Sequence, residues 1–437
     1  MGKKNSSKIK VSIGVAKGKD TYQTALKAAK DSLDGLRGAT FSILYADSNY
    51  DEKEILKAGN EILGNTWIGC STDTQLTSTH GFEQGTISVL TISSEYLHFG
   101  VGVVDKYHKN PASSGEKAIQ EAMKNVHVDH YVDPYIQFRR SQTKSFHEIV
   151  RIPPYFILTL ICGVKFDKQG NPLPGMEAEF LEGVFKITGP NIPIIGGSSS
   201  TDWDKYTKEK ITNNFQFANG KLYYDAAIIV FVVSDLYFAH SFTHGYCVAN
   251  NVALLTKVDK TGHIIQEING KPAVEEYARI LKVSVDELTK NPFKYILAHP
   301  LGVLDTFGNV YIKSGAPNPD RKTWYTLTKV QENTASVVVN YDPKKTKEAV
   351  YYALKEADDI HSHKEIALGL VFSCCGRKAL LGKDVTAEID IARRKYKGVP
   401  LFGFHTFGEI GAKMSKSSQV CNQSVSSLII YNKLLTE

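Results

Sequence analysis

With 437 residues, 42% of them hydrophobic and 22% charged, the chain can bury substantial cores and would ordinarily divide into about two domains. Its formal charge of +6 comes from Lys and Arg scattered among Asp and Glu, and the basic clusters Arg139-Arg140, Lys344-Lys345 and Arg393-Arg394-Lys395 are short. No nucleic-acid partner is therefore expected. No apolar run approaches a membrane span and no N-terminal apolar core marks a signal peptide, so the sequence predicts a cytoplasmic protein without a transmembrane segment.

Residues 1–10 read as a flexible basic tail. They also fit the pattern for myristoylation at Gly2, with Lys3, Lys4, Lys8 and Lys10 as the second, electrostatic anchor that a single acyl chain needs in a eukaryotic cell. A strand at 11–16 leads to a helix capped by Asp20, with Tyr22, Ala25, Leu26, Ala29, Leu33 and Leu36 on one face. Strands follow at 41–45, 66–73 and 85–92, the first two separated by a helix carrying Ile55, Leu56, Ile62 and Leu63. After a strand at 99–104, Ser113 and Glu116 form a capping box for a helix with Ile119 and Met123. The aromatic, aperiodic stretch at about 124–150 reads as a surface insertion.

The strand–helix–strand–strand order then returns. Strands at 155–160 and 192–200 flank a helix with Met176, Phe180, Leu181, Val184 and Phe185, and a strand at 226–233 closes the unit. Beyond 238 the texture changes: a hairpin at 252–258 and 263–268, a helix opened by Pro272, a short one capped by Ser284, and strands at 295–304, 310–313, 325–330 and 336–341. The order appears a third time in the strand at 367–372, a helix with Val385, Ile389, Ala392 and Tyr396 capped by Asp384, and strands at 398–411 and 424–430. Such internal repetition, on strands apolar without alternation, predicts an α/β (α+β) protein with mixed, mostly buried sheets built from repeated units.

Each repeat carries a strand ending in Gly plus polar residues, which would display Ser71 and Thr72, Gly197, Ser198 and Ser199, and His405, Thr406 and Glu409. The loop Gly196-Gly-Ser-Ser-Ser-Thr-Asp202 lacks the Lys of a P-loop, the spacing of a dinucleotide motif and the pattern of a nucleophile elbow. It reads either as a turn whose hydroxyls bond its own backbone or as a ligand-contacting loop. Cys70, Cys162, Cys247, Cys374, Cys375 and Cys421 show no CxxC pair and no disulfide framework, which suits a reducing compartment. Strand-end cysteines usually serve as buried small apolar residues, and Cys374-Cys375 is also readable as a nucleophile or redox pair.

Several motifs resemble the FIST family of signal-transduction sensors. Trp67-Ile-Gly-Cys-Ser-Thr72 and Ile194-Ile-Gly-Gly-Ser-Ser199 resemble its N-terminal domain. His244-Gly-Tyr, Gly270-Lys-Pro-Ala273 before Tyr277, His299-Pro300, Ser373-Cys-Cys-Gly-Arg377, Gly403-Phe-His-Thr-Phe-Gly-Glu-Ile410 and Asn422-Gln-Ser424 resemble its C-terminal domain. The chain departs from the family at Phe407, usually Tyr, at Lys313, near which Arg is usual, and at Glu332-Asn-Thr334. The resemblance implies an N-terminal domain over 11–238 and a C-terminal one over 239–437. It also implies a non-catalytic sensor of a small ligand, with amino acids proposed, that signals through a separate partner. Arg377 could then clamp a carboxylate, Glu409 receive an ammonium group, and Thr406, His405 and Asn422 supply neutral hydrogen bonds. Arg377 paired with Glu409 merely to hold two loops is the plain alternative.

No cofactor is expected. A haem-binding nitric oxide sensor is the family's other reading, with His244, His299 and His405 as axial candidates. A third is an interaction scaffold, with the aromatic stretch at 131–146 as the contact. His361 and His363 resemble a metal pair but lack a third ligand, so a solvated helix end is expected there. Glu409 with His405 could serve as acid and base, yet no placed nucleophile accompanies them.

Overall fold

The computed structural model of the protein describes residues 7–126, 154–166, 172–249, 251–413 and 416–435. The Gly2 motif and the aromatic stretch at 131–146 lie outside them. The first repeat is β1 (Lys10–Ala16), α1 (Thr21–Asp31), β2 (Phe41–Asp47), α2 (Glu52–Leu63), β3 (Trp67–Thr72), a hairpin of β4 (Gln75–Thr77) and β5 (Gly81–Glu83), and β6 (Ile87–Ser93). The second is β7 (Leu97–Asp105), α3 (Pro111–Val126), β8 (Tyr155–Ile161), α4 (Glu177–Thr188), β9 (Ile194–Ser198), a hairpin of β10 (Gln216–Ala218) and β11 (Lys221–Tyr223), and β12 (Ala226–Ser234). The third is β13 (Leu236–His244), α5 (Pro343–Asp358), β14 (Ile366–Cys374), α6 (Cys375–Leu381), α7 (Ala387–Lys395), β15 (Leu401–Thr406), a hairpin of β16 (Glu409–Gly411) and β17 (Gln419–Cys421), and β18 (Ser424–Leu434). Each unit thus holds more than the repeat read from sequence: a leading strand and helix, and a hairpin.

Each unit supplies four strands of one six-stranded sheet, in the orders β1-β6-β2-β3-β10-β11, β7-β12-β8-β9-β16-β17 and β13-β18-β14-β15-β4-β5. The hairpins are exchanged in a ring. The first unit's hairpin edges the third sheet, the second's edges the first, and the third's edges the second. The cut expected near residue 238 falls inside β13, and strands from either side of it share two of the three sheets.

The inner faces of the three sheets meet in one core that includes Tyr45, Ile68, Leu158, Ile228, Leu370, Phe404 and Leu428. Their outer faces are covered by α1 and α2, by α3 and α4, and by α5 and α7. Both faces of every sheet are therefore apolar, which is why the strands read as continuous hydrophobic runs. Inside each unit the middle strands pair in parallel through a crossover helix, and a glycine recurs at one register: Gly69 opposite Leu44, Gly196 opposite Thr159, Gly403 opposite Val371. A Cβ at any of the three would meet the opposing residue's carbonyl oxygen closer than real Cβ atoms approach backbone. One steric demand thus explains the glycine of all three repeats.

Residues 246–341 are inserted between β13 and α5. They form small antiparallel sheets, the helices Ala273–Leu281, Val285–Lys290 and Pro292–Ala298, and a core containing Tyr277, Trp324 and Leu301. Local readings fail at identifiable places here. The strand expected at 295–304 is the helix Pro292–Ala298 followed by the strand Leu301–Leu304, because Pro292 stands at the first helical turn and fixes its φ. Asp384 sits in a 3-10 turn and α7 starts from Thr386 without a side-chain cap. α3 begins at Pro111, before the expected capping box, and Glu116 instead pairs with Lys186. Among the described residues no helix is long and apolar enough to cross a membrane.

Gly403→Ala is expected to lower stability in urea unfolding by about 1–3 kcal/mol, because the paired backbone must give way. At Gly38, where an added Cβ meets nothing, the same change shifts stability by less than about 0.5 kcal/mol.

Candidate functional site

The C-terminal ends of β3, β9 and β15 converge and bond to one another. Between the first two units, the Ser200 N–H donates to Ser71 O at 3.2 Å and the Asp73 N–H to Ser200 Oγ at 3.1 Å. Between the second and third, the Ser198 N–H donates to Gly408 O at 2.9 Å, the Phe407 N–H to Ser198 O at 3.2 Å, and Ser200 Oγ to His405 O at 2.5 Å. The third closes on the first through the His405 N–H to Thr74 O at 2.9 Å and Thr72 Oγ1 to His405 O at 3.2 Å. Ser199 Oγ accepts from Gln216 Nε2 at 2.8 Å, and Gly197 packs on Thr406 where a side chain would collide. So Ser71, Thr72, Gly197, Ser198, Ser199, His405, Thr406 and Glu409 are brought together, all fully buried, with most of their polar groups bonded inside the protein and the His405 Nδ1 left without a partner.

Buried carboxylates surround this hub, and their environments drive them apart. Arg377 does not meet Glu409: its Nε lies 2.9 Å from Glu388 Oε1 and its Nη2 donates to Thr346 O at 2.6 Å, with every group fully buried. His405 Nε2 is 3.3 Å from the other Glu388 oxygen, and Ser373 Oγ donates to Glu388 Oε1 at 2.6 Å. Burial pushes the Glu388 carboxyl up, but the Arg377 charge, the His405 contact and the Ser373 hydroxyl outweigh it and hold the carboxyl at about 2. Glu409 goes the other way. Burial, reinforced by Cys374, lifts it well above 4.5 despite the Ser424 N–H and Oγ at 3.0 and 2.8 Å and Thr406 Oγ1 at 2.5 Å. Glu177, 2.5 Å from Ser198 Oγ, is raised by burial too. Glu177 and Glu388 sit in the first turns of α4 and α7 and engage equivalent hub positions, Ser198 and His405.

A cavity of about 150 Å³ opens beside the hub. Its floor is Cys374, Cys375 and Gly376 at the β14–α6 junction, with Asn422 and Gln423. Trp203, Tyr206 and Phe407 wall one side, and the inserted segment supplies Phe293, Ile296, Tyr325 and Leu327. Among the described residues no Asp, Glu, Lys, Arg or His lines it. The insertion is fixed over the hub by the Asn422 N–H to Ile312 O at 3.1 Å, the Ser314 N–H to Asn422 Oδ1 at 3.0 Å, Gln423 Nε2 to Ser314 Oγ at 2.6 Å, and Lys313 Nζ to Val420 O at 2.6 Å. The Lys313 amine is buried and its pKa is lowered. Of the expected ligand contacts, Asn422 reaches the cavity. Asp73 and Lys378, paired at 2.8 Å across the first and third units, escaped sequence reading, as did Trp203 and Tyr206. The signal for the aromatics was their place directly after the Gly-Ser loop.

The haem candidates are held singly. His299 Nδ1 is 2.9 Å from Asn340 Oδ1, and His244 Nδ1 accepts the Tyr246 N–H at 3.2 Å, its pKa lowered to about 4 by burial. His405 faces Glu388, and among the described residues no histidine lines the cavity. His108, Cys162 and Asp225 bring possible ligand atoms within 4.8 Å of one another. Lys165 already lies 3.1 Å from Asp225, and burial pushes the Cys162 thiol up to about 12. His108 and Asp225 therefore read as a pair shared with Lys165, while the Cys162 thiol donates to the Gly163 and Tyr224 carbonyls. His361 packs on Tyr237 and Tyr431 and, among the described residues, neither it nor His363 joins a group of this kind.

The two glutamates give opposite pH signatures. The Glu388 contribution is present above the ordinary carboxylate range and is lost as pH falls through about 2. That of Glu409 is present below 4.5 and is lost as pH rises toward its raised value. Glu388→Gln should cost about 3–5 kcal/mol at neutral pH by stranding Arg377. Glu409→Gln, able to keep its partners, should fold and show less loss of stability between acid and neutral pH, as followed by urea unfolding across pH.

Comparison with known proteins places the geometry. The FIST N domain matches residues 40–271 and the FIST C domain residues 273–412. No curated protein matches the chain. Among solved structures, a cyanuric acid hydrolase described as an evolutionary innovation by structural concatenation overlaps with 9% identity and a TM-score of 0.34, over 97% of this chain and 99% of that one. A cyanuric acid hydrolase from A. caulinodans overlaps with 7% identity and a TM-score of 0.34, over 96% and 98%. PurLQS from Thermotoga maritima reaches 8% and 0.22, over 77% and 73%. With its two domains matched over most of its length, the chain belongs to the FIST family, which is associated with sensing in signal transduction.

Proposed function

We propose that the protein is a cytoplasmic, non-catalytic receptor for a small metabolite, that the metabolite sits in the cavity beside the hub, and that a separate partner reads the bound state. The observation carrying this is the cavity itself. It joins the inserted segment to the strand-end hub, so a ligand there touches both bodies and favours whichever arrangement holds them together. Six free cysteines suit the reducing compartment.

The lining selects the ligand. About 150 Å³ is close to the volume that accepts a benzene-sized molecule. Aromatic walls favour a flat or compact apolar body, and Asn422, Gln423 and Ser314 offer neutral hydrogen bonds. A free amino acid would need ionic partners for both ends, and Arg377 is committed to Glu388. A neutral metabolite therefore suits the site better than a zwitterion.

The test fills the space. A Cβ on Gly376 would make only ordinary contacts with Cys374, Gln423 and Leu297, so Gly376→Ala is tolerated while Gly376→Leu occupies the cavity. Cyclohexanone or phenol at about 100 times its Kd should stabilise the wild type and Gly376→Ala by ~2.7 kcal/mol, and leave Gly376→Leu unmoved, in thermal unfolding. Equal stabilisation of Gly376→Leu, or stabilisation by leucine but not by the neutral rings, would overturn the reading.

A further inference from the structure

Resting on that assignment of the cavity, we propose that Cys374 is a nucleophile that captures small α,β-unsaturated carbonyl compounds, so that the ligand sensed is an electrophile and the sensed state a covalent adduct. The placement comes first. Cys374 ends β14 and, with Cys375, lines the cavity that Trp203, Tyr206 and Phe407 also line. A flat conjugated molecule small enough to enter would lie against the rings with its edge toward the sulfur.

The second observation is an unsatisfied donor in the same wall. Asn422 is 3% exposed. Its Oδ1 accepts the Ser314 N–H, while its Nδ2 has no partner among the described residues. An amide N–H₂ with no internal acceptor beside an apolar cavity is open to a ligand carbonyl oxygen as its hydrogen-bond acceptor. The group activated by such a bond is the conjugated alkene next to it.

The third is the sulfur's surroundings. Burial carries the thiols of Cys70, Cys162, Cys375 and Cys421 upward. Cys374 alone of these buried cysteines goes down, through a hydrogen bond from Cys375, the backbone N–H groups of Gln423 and Gly376, and the Arg377 charge, which together outweigh burial. A thiol whose pKa is lowered in this way and which lines an apolar cavity favours small neutral electrophiles. In the addition, the Cys374 sulfur bonds to the β-carbon and the carbon–carbon π bond breaks. Its electron pair passes to the carbonyl oxygen, facing Asn422, and returns as the proton surrendered by the thiol ends on the α-carbon. Nothing is oxidised or reduced, and no co-reactant is needed. The adduct would press on the β14–α6 junction, from which Arg377 reaches Glu388.

The experiment pairs 2-cyclohexen-1-one with its saturated analogue cyclohexanone. Intact-mass and peptide mapping of the enone-treated wild type should find a single adduct on Cys374, formed about tenfold or more faster than on the more accessible Cys247, as expected of a thiol with a lowered pKa. Cyclohexanone should slow its formation, and Cys374→Ser should lose the adduct while its thermal unfolding still responds to cyclohexanone. Cyclohexanone binding without a preference for Cys374 would overturn the covalent proposal and leave the cavity assignment standing. Failure of both molecules to engage the cavity would overturn both.

Discussion

Three strand ends share their backbone hydrogen bonds, and the rest of the architecture serves to hold them there. Each of β3, β9 and β15 runs out of its own sheet's ladder at the hub, leaving buried peptide groups that must find partners. They find them on the other two strands, which requires all three units to be present and in register. The exchanged hairpins enforce that register. Each sheet gains its last strands from a different unit, so no unit completes its sheet alone. Stability and site geometry are therefore one cooperative property.

That closure also explains where binding capacity survives. The hydroxyls and carboxyls at the hub centre look in sequence like a ligand-binding set, yet they are spent on one another. Ser198 and His405 hold Glu177 and Glu388, and Thr406 and Ser424 hold Glu409. The threefold pattern is imperfect, because the third unit carries the insertion and places Phe407 where the second has Ser200 and the first Asp73, counting from the shared glycine. At this break the aromatic walls, the Cys374-Cys375 floor and the half-used Asn422 amide border a cavity. Symmetry makes the hub rigid, and its interruption makes room.

Much of the fold was legible because its cause is local. Gly69, Gly196 and Gly403 recur because one close approach between parallel strands forbids a side chain, and the crossover helices declare themselves through apolar spacing. The FIST resemblance rests on these same motifs. The leading strand and helix of each unit escaped recognition as part of the repeat, because in the third unit the insertion separates β13 from α5. Hairpin exchange is equally hidden, since nothing in residues 75–83 names β15 as a partner. Arg377 illustrates the same limit for the site. The sequence suggests Glu409 as its carboxylate partner, whereas the packed structure pairs it with Glu388 and leaves Glu409 with its pKa raised by burial. Cys374 was readable both as a small buried residue and as a nucleophile or redox pair, and the contact with the distant Gln423 that distinguishes it is made only by the fold.

The central claim is that the cavity between the hub and the inserted segment is where a ligand is felt. The chain's three tryptophans report on distinct regions: Trp67 in the outer core of the first sheet, Trp324 in the core of the insertion, and Trp203 in the cavity wall. Fluorine NMR of protein labelled with 5-fluorotryptophan, assigned with Trp203→Phe and titrated with a neutral ring compound, separates them in one experiment. The account predicts a saturable shift of the Trp203 resonance with Trp67 unmoved. A saturable shift confined to Trp67 or Trp324, with Trp203 unchanged, would contradict it.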